Sequence, residues 1–304
     1  MAFSNRPRER WTASGPHDIP SPIIDRTRLQ ASMTKSDTDT LFAGFVPKLY
    51  ERHLVPMVFG PFAPDLVRRL EPTGVSRVLE VAAGTGVVTR ELAAVLPADV
   101  AIVATDLNQT MVDHAQEIWM QRPIEWQQAD AMALPFDDES FDAVVCQFGV
   151  MFFSDKPTAF AEVRRVLRPG GTFLFNVWDR IEDNDFVHTV TEALTPLFPE
   201  DPPRFHARVP HGYHTPEKIA EDLRAGGFTN TPQMETVTAV SQARAPWLVA
   251  MGYCQGTPLR NEIEERDASL LGEATAMASK ALIEKFGPTN ISGKLQAIVI
   301  SVRK

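Results

Sequence analysis

Short apolar runs alternate with longer amphipathic stretches along most of this chain, and the two have different periods. The runs RVLEV, AIVAT, IEWQQA, FDAVVCQ and GTFLFNVW have the length and residue types of strands. Stretches with helical spacing, among them VTRELAAVL, QTMVDHAQEIWM and TAFAEVRRVL, lie between several of these runs. Strands that alternate with helices form a parallel sheet with right-handed crossovers and helices on both faces. The pattern therefore predicts an α/β fold.

The chain after the fifth run departs from this alternation. A helix-like stretch, NDFVHTVTEALTPLF, is followed by a proline-rich turn, and a further helix is expected to start at Thr215 and to end at Gly226. A strand-like run, QMETVTAV, precedes a mostly helical stretch, and LQAIVISVR ends the sequence as a last strand. Open α/β sheets bind ligands beside the carboxyl ends of their strands. We therefore expect residues 179–214 and 245–286 to form a substrate cover.

The first forty residues differ in composition from the rest. Residues 1–40 are polar and dotted with proline, and they lack the apolar core of a signal peptide. We expect them to form a flexible N-terminal segment, and we expect residues 41–304 to form the folded domain. The whole chain of 304 residues is 44% hydrophobic and 23% charged, which is typical of a folded soluble protein.

Charge and cysteine content narrow the range of partners. The formal net charge of −9 disfavours nucleic acid and anionic membranes, because both repel a negatively charged surface. Cys146 and Cys254 stand in unrelated contexts and form neither a disulfide framework nor a metal-ligand pair. This use of cysteine predicts a cytoplasmic protein.

Candidate chemistry is concentrated in the stretch VLEVAAGTGVVT, residues 78–89. Glycines between a strand and a helix let backbone N–H groups approach a ligand closely, because no Cβ is in the way. A dinucleotide-binding fingerprint that begins at Gly84 and Gly86 needs a third glycine where this chain has Thr89. That departure disfavours a nicotinamide cofactor. The remaining pattern is an acid at the end of the strand with small residues at alternate positions after it.

Four segments in series resemble the class I S-adenosylmethionine-dependent methyltransferases, in particular the ubiquinone/menaquinone C-methyltransferase-like (methyltransferase type 11) group. They are VLEVAAGTGVVT, VATDLNQTMV, QQADAMALPFDDESFDAVVCQFGVMFF and LRPGGTFLFNVW. The resemblance implies a Rossmann-like sheet of seven strands with an antiparallel last strand and flanking helices. The stretch that interrupts the alternation is then a helical cap inserted after the fifth strand. The resemblance also implies S-adenosyl-L-methionine as methyl donor and S-adenosyl-L-homocysteine as product.

The resemblance also assigns roles to residues. Asp106 would accept the ribose hydroxyls, Asp130 and Ala131 would contact the adenine, and Tyr50 would cover the methionine end. Ala82 stands where the family usually has the first glycine of its turn. The expected cofactor residues are Tyr50, Glu80, Ala82, Gly84, Gly86, Asp106, Leu107, Met111, Asp130, Ala131 and Gln147.

No catalytic side chain is obligatory in this chemistry. A sulfonium methyl is already activated, so alignment with the nucleophile and exclusion of water supply much of the catalysis. A base would assist a hydroxyl or carbon nucleophile, and histidine titrates near neutral pH. The region after the fifth strand holds His188, His206, His211 and His214, and the candidate bases are His188, His211 and His214. The expected substrate residues are Phe148, Phe152, Trp178 and Tyr213.

Several interpretations remain open at this stage. The leading one is methyl transfer to a small organic acceptor at carbon, oxygen or nitrogen, without a metal, because no carboxylate cluster follows the fourth strand. The alternatives are a protein that binds the cofactor without catalysis and an NAD-dependent oxidoreductase. A homo-oligomer is compatible with the sequence, and the acceptor is not identified.

Overall fold

Seven strands form one sheet in the computed structural model, which describes residues 46–71, 74–118 and 120–304. The strands are β1 Arg77–Val81, β2 Ala101–Asp106, β3 Glu125–Gln128, β4 Phe141–Gln147, β5 Leu167–Trp178, β6 Gln233–Ala243 and β7 Ile291–Arg303. Their order across the sheet is β3-β2-β1-β4-β5-β7-β6. The first five strands pair in parallel, and β7 is antiparallel to both β5 and β6. The predicted flexible segment, residues 1–40, lies outside the described residues.

Helices connect the strands and cover the sheet. They are α1 Val46–Leu49, a π-helix Tyr50–Phe59, α2 Ala63–Arg68, α3 Val87–Val95, α4 Gln109–Glu117, α5 Lys156–Val166, α6 Asp185–Leu194, α7 Phe205–Arg208, α8 Pro216–Ala225, α9 Pro246–Gln255, α10 Leu259–Asp267 and α11 Leu271–Phe286. The predicted seven-stranded Rossmann-like fold with an antiparallel last strand is confirmed. β5 begins at Leu167, earlier than the apolar run indicated, because Leu167 already pairs with Phe141 of β4.

The central strands are buried on both faces, which explains their nearly continuous apolar runs. Successive side chains of a strand point to opposite faces, so Val144 and Val145 of β4 belong to two different apolar clusters. The cluster of Val145 includes Leu66 of α2 and Leu92 of α3. The cluster of Val144 includes Phe160 of α5 and extends into the helices that follow β5.

The helices inserted after β5 are joined to the sheet by buried polar contacts. Asn184 is fully buried and precedes α6. Its side-chain amide donates to the carbonyl oxygens of Arg180 and Gln296 at 3.1 and 3.2 Å, and its carbonyl accepts from the backbone N–H of Gln296 at 2.9 Å. Asn184 therefore fixes the start of α6 against β7. Both segments predicted to cover the substrate, residues 179–214 and 245–286, contain helices, and their covering role stays a prediction.

The amino ends of three strands are joined by one carboxylate on the side of the sheet away from these helices. Asp142 of β4 accepts hydrogen bonds from the backbone N–H groups of Ser76 and Arg77 at 2.7 and 2.9 Å, and it pairs with Arg168 of β5 at 2.5 Å. Partial burial alone would raise the pKa of Asp142, but these hydrogen bonds lower it to about 2. The carboxylate therefore stays ionised down to low pH.

Cys146 and Cys254 are both buried and free. None of the helices in the described ranges is both long enough and apolar enough to cross a bilayer.

The Asp142 contacts predict a pH-dependent contribution to stability. We expect Asp142→Asn to lower the free energy of unfolding by about 1–3 kcal/mol near neutral pH, since it removes the acceptor of several charge-assisted bonds. The folded-state pKa is lowered, so the contribution is present above the ordinary aspartate pKa and is lost as pH falls toward about 2. Urea denaturation at several pH values measures the difference, and the exposed Asp137→Asn is the matched control. An unchanged gap between wild type and Asp142→Asn at low pH would contradict the assignment.

Candidate functional site

A cavity of about 310 Å³ opens at the carboxyl ends of β1, β2 and β4. The strand order reverses between β1 and β4, and open α/β sheets bind ligands at such a switch point. The cavity lining includes nine of the residues expected to hold a cofactor: Tyr50, Ala82, Gly84, Asp106, Leu107, Met111, Asp130, Ala131 and Gln147. Asn108 also lines the cavity. The sequence reasoning missed Asn108, although its place directly after the acid-bearing end of β2 was a signal that could have found it.

The turn between β1 and α3 runs through left-handed backbone conformations. The φ angles of Ala82, Gly84 and Gly86 are 56°, 57° and 85°, a region that costs a residue with a Cβ about 1–2 kcal/mol. Ala82 adopts it although the family usually has glycine there. A Cβ at Gly149 would lie 2.5 Å from the Cβ of Ala82. Glycine at position 149 therefore leaves room for the side chain of Ala82.

Asp106 connects this turn to the end of β2. Its Oδ2 accepts the backbone N–H of Gly84 at 2.8 Å, and its Oδ1 accepts the backbone N–H of Asn108 at 2.9 Å. Burial raises the pKa of Asp106, and the hydrogen bonds from Asn108 and Gly84 oppose that shift. A carboxylate offers about four lone-pair sites. Oδ1 also accepts the side-chain amide of Asn108 at 3.5 Å, so Oδ2 is the oxygen that keeps acceptor capacity at the cavity.

Glu80 lies behind the turn and does not line this cavity. Burial raises the pKa of its carboxyl to about 8, against the opposing effects of Thr89 and Arg90. The hydroxyl of Thr89 donates to Glu80 Oε2 at 2.5 Å. Thr89, the residue at which the chain departs from the dinucleotide-binding fingerprint, is fully buried. Its bond to Glu80 supports the turn on the side away from the cavity. Gly86 also lies outside the lining, and its role is to let the backbone enter α3.

Asp130 shapes the loop after β3. Its Oδ1 accepts the backbone N–H of Met132 at 2.9 Å, and no hydrogen bond to its other carboxylate oxygen is seen within the described residues. The side-chain amide of Gln128 donates to the carbonyl oxygen of Leu107 at 2.8 Å. This bond joins the loop after β2 to β3. These contacts form the outer part of the cavity, where the sequence predicted an adenine contact.

The π-helix lies over the glycine turn. A Cβ at Gly84 would be 3.9 Å from the ring of Tyr50, and the ring of Tyr50 stacks on Phe59 with a centroid distance of 4.8 Å. The neighbouring Glu51 accepts from the Thr85 hydroxyl at 2.5 Å and pairs with Arg90 at 3.0 Å. A π-helix is rare and often marks a functional site. Here it brings Tyr50 to the cavity predicted for the cofactor.

A second, smaller cavity of about 70 Å³ adjoins the first. The two share Tyr50, Phe148 and Phe152 in their linings. The rings of Phe148 and Trp178 stack in parallel at 3.7 Å, with an interplanar angle of 3°. Phe148, Phe152 and Trp178 were expected near a substrate, and they lie together here. Tyr213 lines neither cavity, because its hydroxyl donates to the buried Asp222 at 2.9 Å.

The histidines are divided between this cavity and other places. His206 and His211 line the second cavity. His188 of α6 lines neither cavity. His214 lines neither, and its Nδ1 lies 2.9 Å from the carbonyl oxygen of His211. Of the three candidate bases, only His211 therefore lies at the site. His206 was not among them, and no local sequence signal separates it from the other histidines of the region.

Among the described residues, no group of three or more histidine, cysteine, aspartate or glutamate side chains is arranged to hold a metal ion.

The sequence of the strands that carry this site matches a known family. A family model described as a methyltransferase domain matches residues 79–175. The chain contains a methyltransferase domain. The matched stretch runs from β1 into β5 and includes Asp106, Asp130 and Gln147. The resemblance predicted from the sequence is therefore confirmed.

Relatives of the methyltransferase domain include proteins with and without an assigned activity. An uncharacterized protein of Mycobacterium tuberculosis is 37% identical over 126 residues, which cover 40% of this chain and 44% of that protein. The ubiquinone/menaquinone biosynthesis C-methyltransferase of Hahella chejuensis is 33% identical over 165 residues, which cover 47% of this chain and 66% of that enzyme. The chain thus spans less than half of the mycobacterial relative.

Solved structures share the fold. The phosphoethanolamine N-methyltransferase 2 of Haemonchus contortus, in complex with phosphomonomethylethanolamine and S-adenosylhomocysteine, matches with a TM-score of 0.52 at 17% identity. The match covers 85% of this chain and 56% of that chain. At this identity the likeness concerns the fold alone.

Crowding at the turn of the methyltransferase domain gives a testable prediction. A Cβ at Gly86 would lie 2.9 Å from the Trp126 ring, whereas one at Gly74, with a similar φ of 80°, would meet no atom of the described residues within 4 Å. We expect Gly74→Ala to cost about 1–2 kcal/mol of stability through φ alone. Gly86→Ala should cost about 1–3 kcal/mol more through crowding. Urea denaturation measures both, and equal losses would contradict the crowding.

Proposed function

We propose that this chain transfers a methyl group from S-adenosylmethionine to a small-molecule acceptor by in-line displacement, without a metal. The observation that carries the proposal is the carboxylate of Asp106. It ends β2, holds the Gly84 backbone N–H at 2.8 Å, and lines the larger cavity. The methyltransferase domain at residues 79–175 supports the same activity.

The larger cavity fits such a cofactor on several counts. Its volume of about 310 Å³ falls within the range of small-molecule sites, about 300–1,000 Å³. Asp106 has acceptor capacity left for a ribose diol, and Asp130 lies in the same lining. Gln147 adds a further polar group, because its buried Oε1 has no hydrogen-bond partner among the described residues. A buried unpaired acceptor at a cavity wall suits a ligand donor.

The chemistry divides between the cofactor and the chain. The bound cofactor supplies an electrophilic methyl group on a sulfonium. The chain's part is to bind, to orient and to exclude water. Tyr50, Phe148 and Phe152 line both cavities, so their rings would enclose the region between donor and acceptor. The apolar enclosure excludes water from the nucleophile.

Two other functions are less well supported. A cofactor-binding protein without catalysis would not need a second cavity that shares Tyr50, Phe148 and Phe152 with the first. A nicotinamide-dependent oxidoreductase is disfavoured because position 89 holds a threonine whose hydroxyl is bonded to Glu80. A nucleic-acid partner is not expected at a net charge of −9, and the cytoplasmic location stays a prediction from composition.

Asp106 provides the decisive test of the proposed cofactor site. An amide has one acceptor oxygen and presents N–H groups at its other terminal atom, so Asp106→Asn should lose the backbone contact to Gly84 or the one to Asn108, and it weakens the acceptor site for the ribose. We expect affinity for S-adenosylmethionine to fall by about tenfold to a hundredfold, which is about 1.4–2.7 kcal/mol. Titration calorimetry measures the affinity, with the exposed Asp113→Asn of α4 as the matched control. Unchanged binding by a folded Asp106→Asn variant would refute the site.

Turnover is tested separately with a panel of acceptors. Incubation of the wild-type protein with S-adenosylmethionine and an acceptor should give S-adenosylhomocysteine, a proton, and an acceptor in which a methyl group replaces that proton, a mass gain of one CH2 unit. Mass spectrometry detects both products, and addition of a chelator should leave the rate unchanged. Tight cofactor binding with no turnover across a broad acceptor panel would favour the non-catalytic function.

A further inference from the structure

One histidine that lines the second cavity has a ring nitrogen without a hydrogen-bond partner among the described residues. His206 is 3% exposed and lines this cavity. Its Nε2 lies 3.2 Å from the hydroxyl oxygen of Thr257, and that hydroxyl donates its own proton to the carbonyl oxygen of Tyr253 at 2.6 Å. Because a hydroxyl has a single proton, Thr257 accepts from His206. The proton of the neutral imidazole is therefore on Nε2, and Nδ1 carries a lone pair.

That lone pair has no partner. Nδ1 of His206 is buried and makes no hydrogen bond among the described residues. Leaving a buried acceptor unpaired costs about 1–3 kcal/mol, so native structures rarely do it without a reason. The reason that this cavity offers is a ligand. The missing partner is a hydrogen-bond donor.

His211, the other histidine in the lining, is also a neutral imidazole with one lone pair. Its Nδ1 lies 2.7 Å from the carbonyl oxygen of Asp179, which only accepts, so this nitrogen carries the proton and Nε2 does not. Burial lowers the pKa of His211 to about 4 and that of His206 to about 3. Both imidazoles are therefore neutral near pH 7. The cavity presents acceptors without positive charge.

The rest of the lining excludes ionised ligands. Among the described residues, no aspartate, glutamate, lysine or arginine lines the second cavity. An ionised amine or carboxylate would lose its hydration there without gaining a counter-ion, which is unfavourable. Aromatic rings make up much of the lining, and the parallel pair Phe148 and Trp178 offers a flat surface. The volume of about 70 Å³ suits a ligand of roughly one ring.

We propose that the acceptor is a neutral, planar molecule of about one ring that donates a hydroxyl or ring N–H hydrogen bond to Nδ1 of His206. The assignment rests on the proposed function, since it concerns the acceptor of that reaction. His206 is a positioning and specificity-determining residue in this scheme. The same bond would orient the donor atom and reject analogues that lack it, because the buried nitrogen would then stay unpaired.

A matched set of small probes tests the ligand class. Phenol, anisole, benzoate and benzylamine are titrated into the full-length protein loaded with S-adenosylhomocysteine, and binding is followed by saturation-transfer NMR. We expect phenol to bind about tenfold more tightly than anisole, which is about 1.4 kcal/mol for the single hydrogen bond. Benzoate and ionised benzylamine should bind more weakly than phenol. Absence of saturable phenol binding, or tighter binding of benzylamine through the aromatic rings, would overturn the proposal.

Two substitutions of His206 test the roles of its two ring nitrogens separately. The amide of glutamine overlaps Nε2, so His206→Gln keeps the Thr257 contact and loses the acceptor at Nδ1. The amide of asparagine overlaps Nδ1, so His206→Asn places an acceptor there. We expect His206→Gln to abolish the preference for phenol over anisole, and His206→Asn to keep part of it. His114→Gln of α4 is the control and should behave like wild type.

The outcomes also separate this proposal from the proposed function. Calorimetric binding of S-adenosylhomocysteine by each variant reports the larger cavity independently. Wild-type protein that fails to bind S-adenosylhomocysteine would refute the proposed function itself. Normal cofactor binding together with an unchanged phenol preference in His206→Gln would overturn only the acceptor assignment. If His206→Gln does not fold, His206→Asn alone tests the assignment. Loss of the preference for phenol over anisole in His206→Asn would then contradict a hydrogen bond at Nδ1.

Discussion

The carboxylate of Asp106 is the contact on which the arrangement of the larger cavity depends. It accepts one backbone N–H from the turn after β1, at Gly84, and one from the loop after β2, at Asn108. Along their length, parallel strands are joined by backbone hydrogen bonds. A side chain that bonds both loops fixes their separation at the point where a ligand would enter. The cost of burying this carboxyl is partly offset by the N–H groups that donate to it.

The strained backbone around Asp106 is made possible by small neighbours. Ala82 and Phe148 both adopt positive φ, 56° and 52°. Gly149, which follows Phe148, lies so close to Ala82 that a Cβ there would be 2.5 Å from the Cβ of Ala82. The backbone N–H of Phe148 donates to the side-chain Oδ1 of Asn176 at 3.0 Å and to the backbone carbonyl oxygen of Asn176 at 3.2 Å. Strain of this kind persists only where surrounding contacts over-determine it. The carboxyl ends of β1 and β4 therefore restrain each other.

Adjacency of the two cavities follows from the elements that lie above the sheet. The π-helix brings Tyr50 down over the glycine turn, while Glu51 holds it there through Thr85 and Arg90. The helices after β5 are fixed to β7 by Asn184. These two attachments place aromatic rings from distant segments around one space. A methyl donor and an acceptor held in neighbouring cavities would need little further machinery.

The sequence by itself determined the sheet and most of the residues of the larger cavity, because strand ends and the turn after β1 are encoded locally. It missed Asn108, and it expected Glu80 and Gly86 at a cavity that they do not line. Strand periodicity predicted all seven strands. Because parallel strands end at the same edge of a sheet, an acid or a glycine at the end of such a strand lies at that edge. The tertiary structure alone decided which histidines meet the second cavity. His206 and His211 reach it, whereas His188 does not and Tyr213 is bonded to Asp222. Their positions depend on how helices far apart in the chain pack around the antiparallel β7, and residue spacing carries no record of that packing.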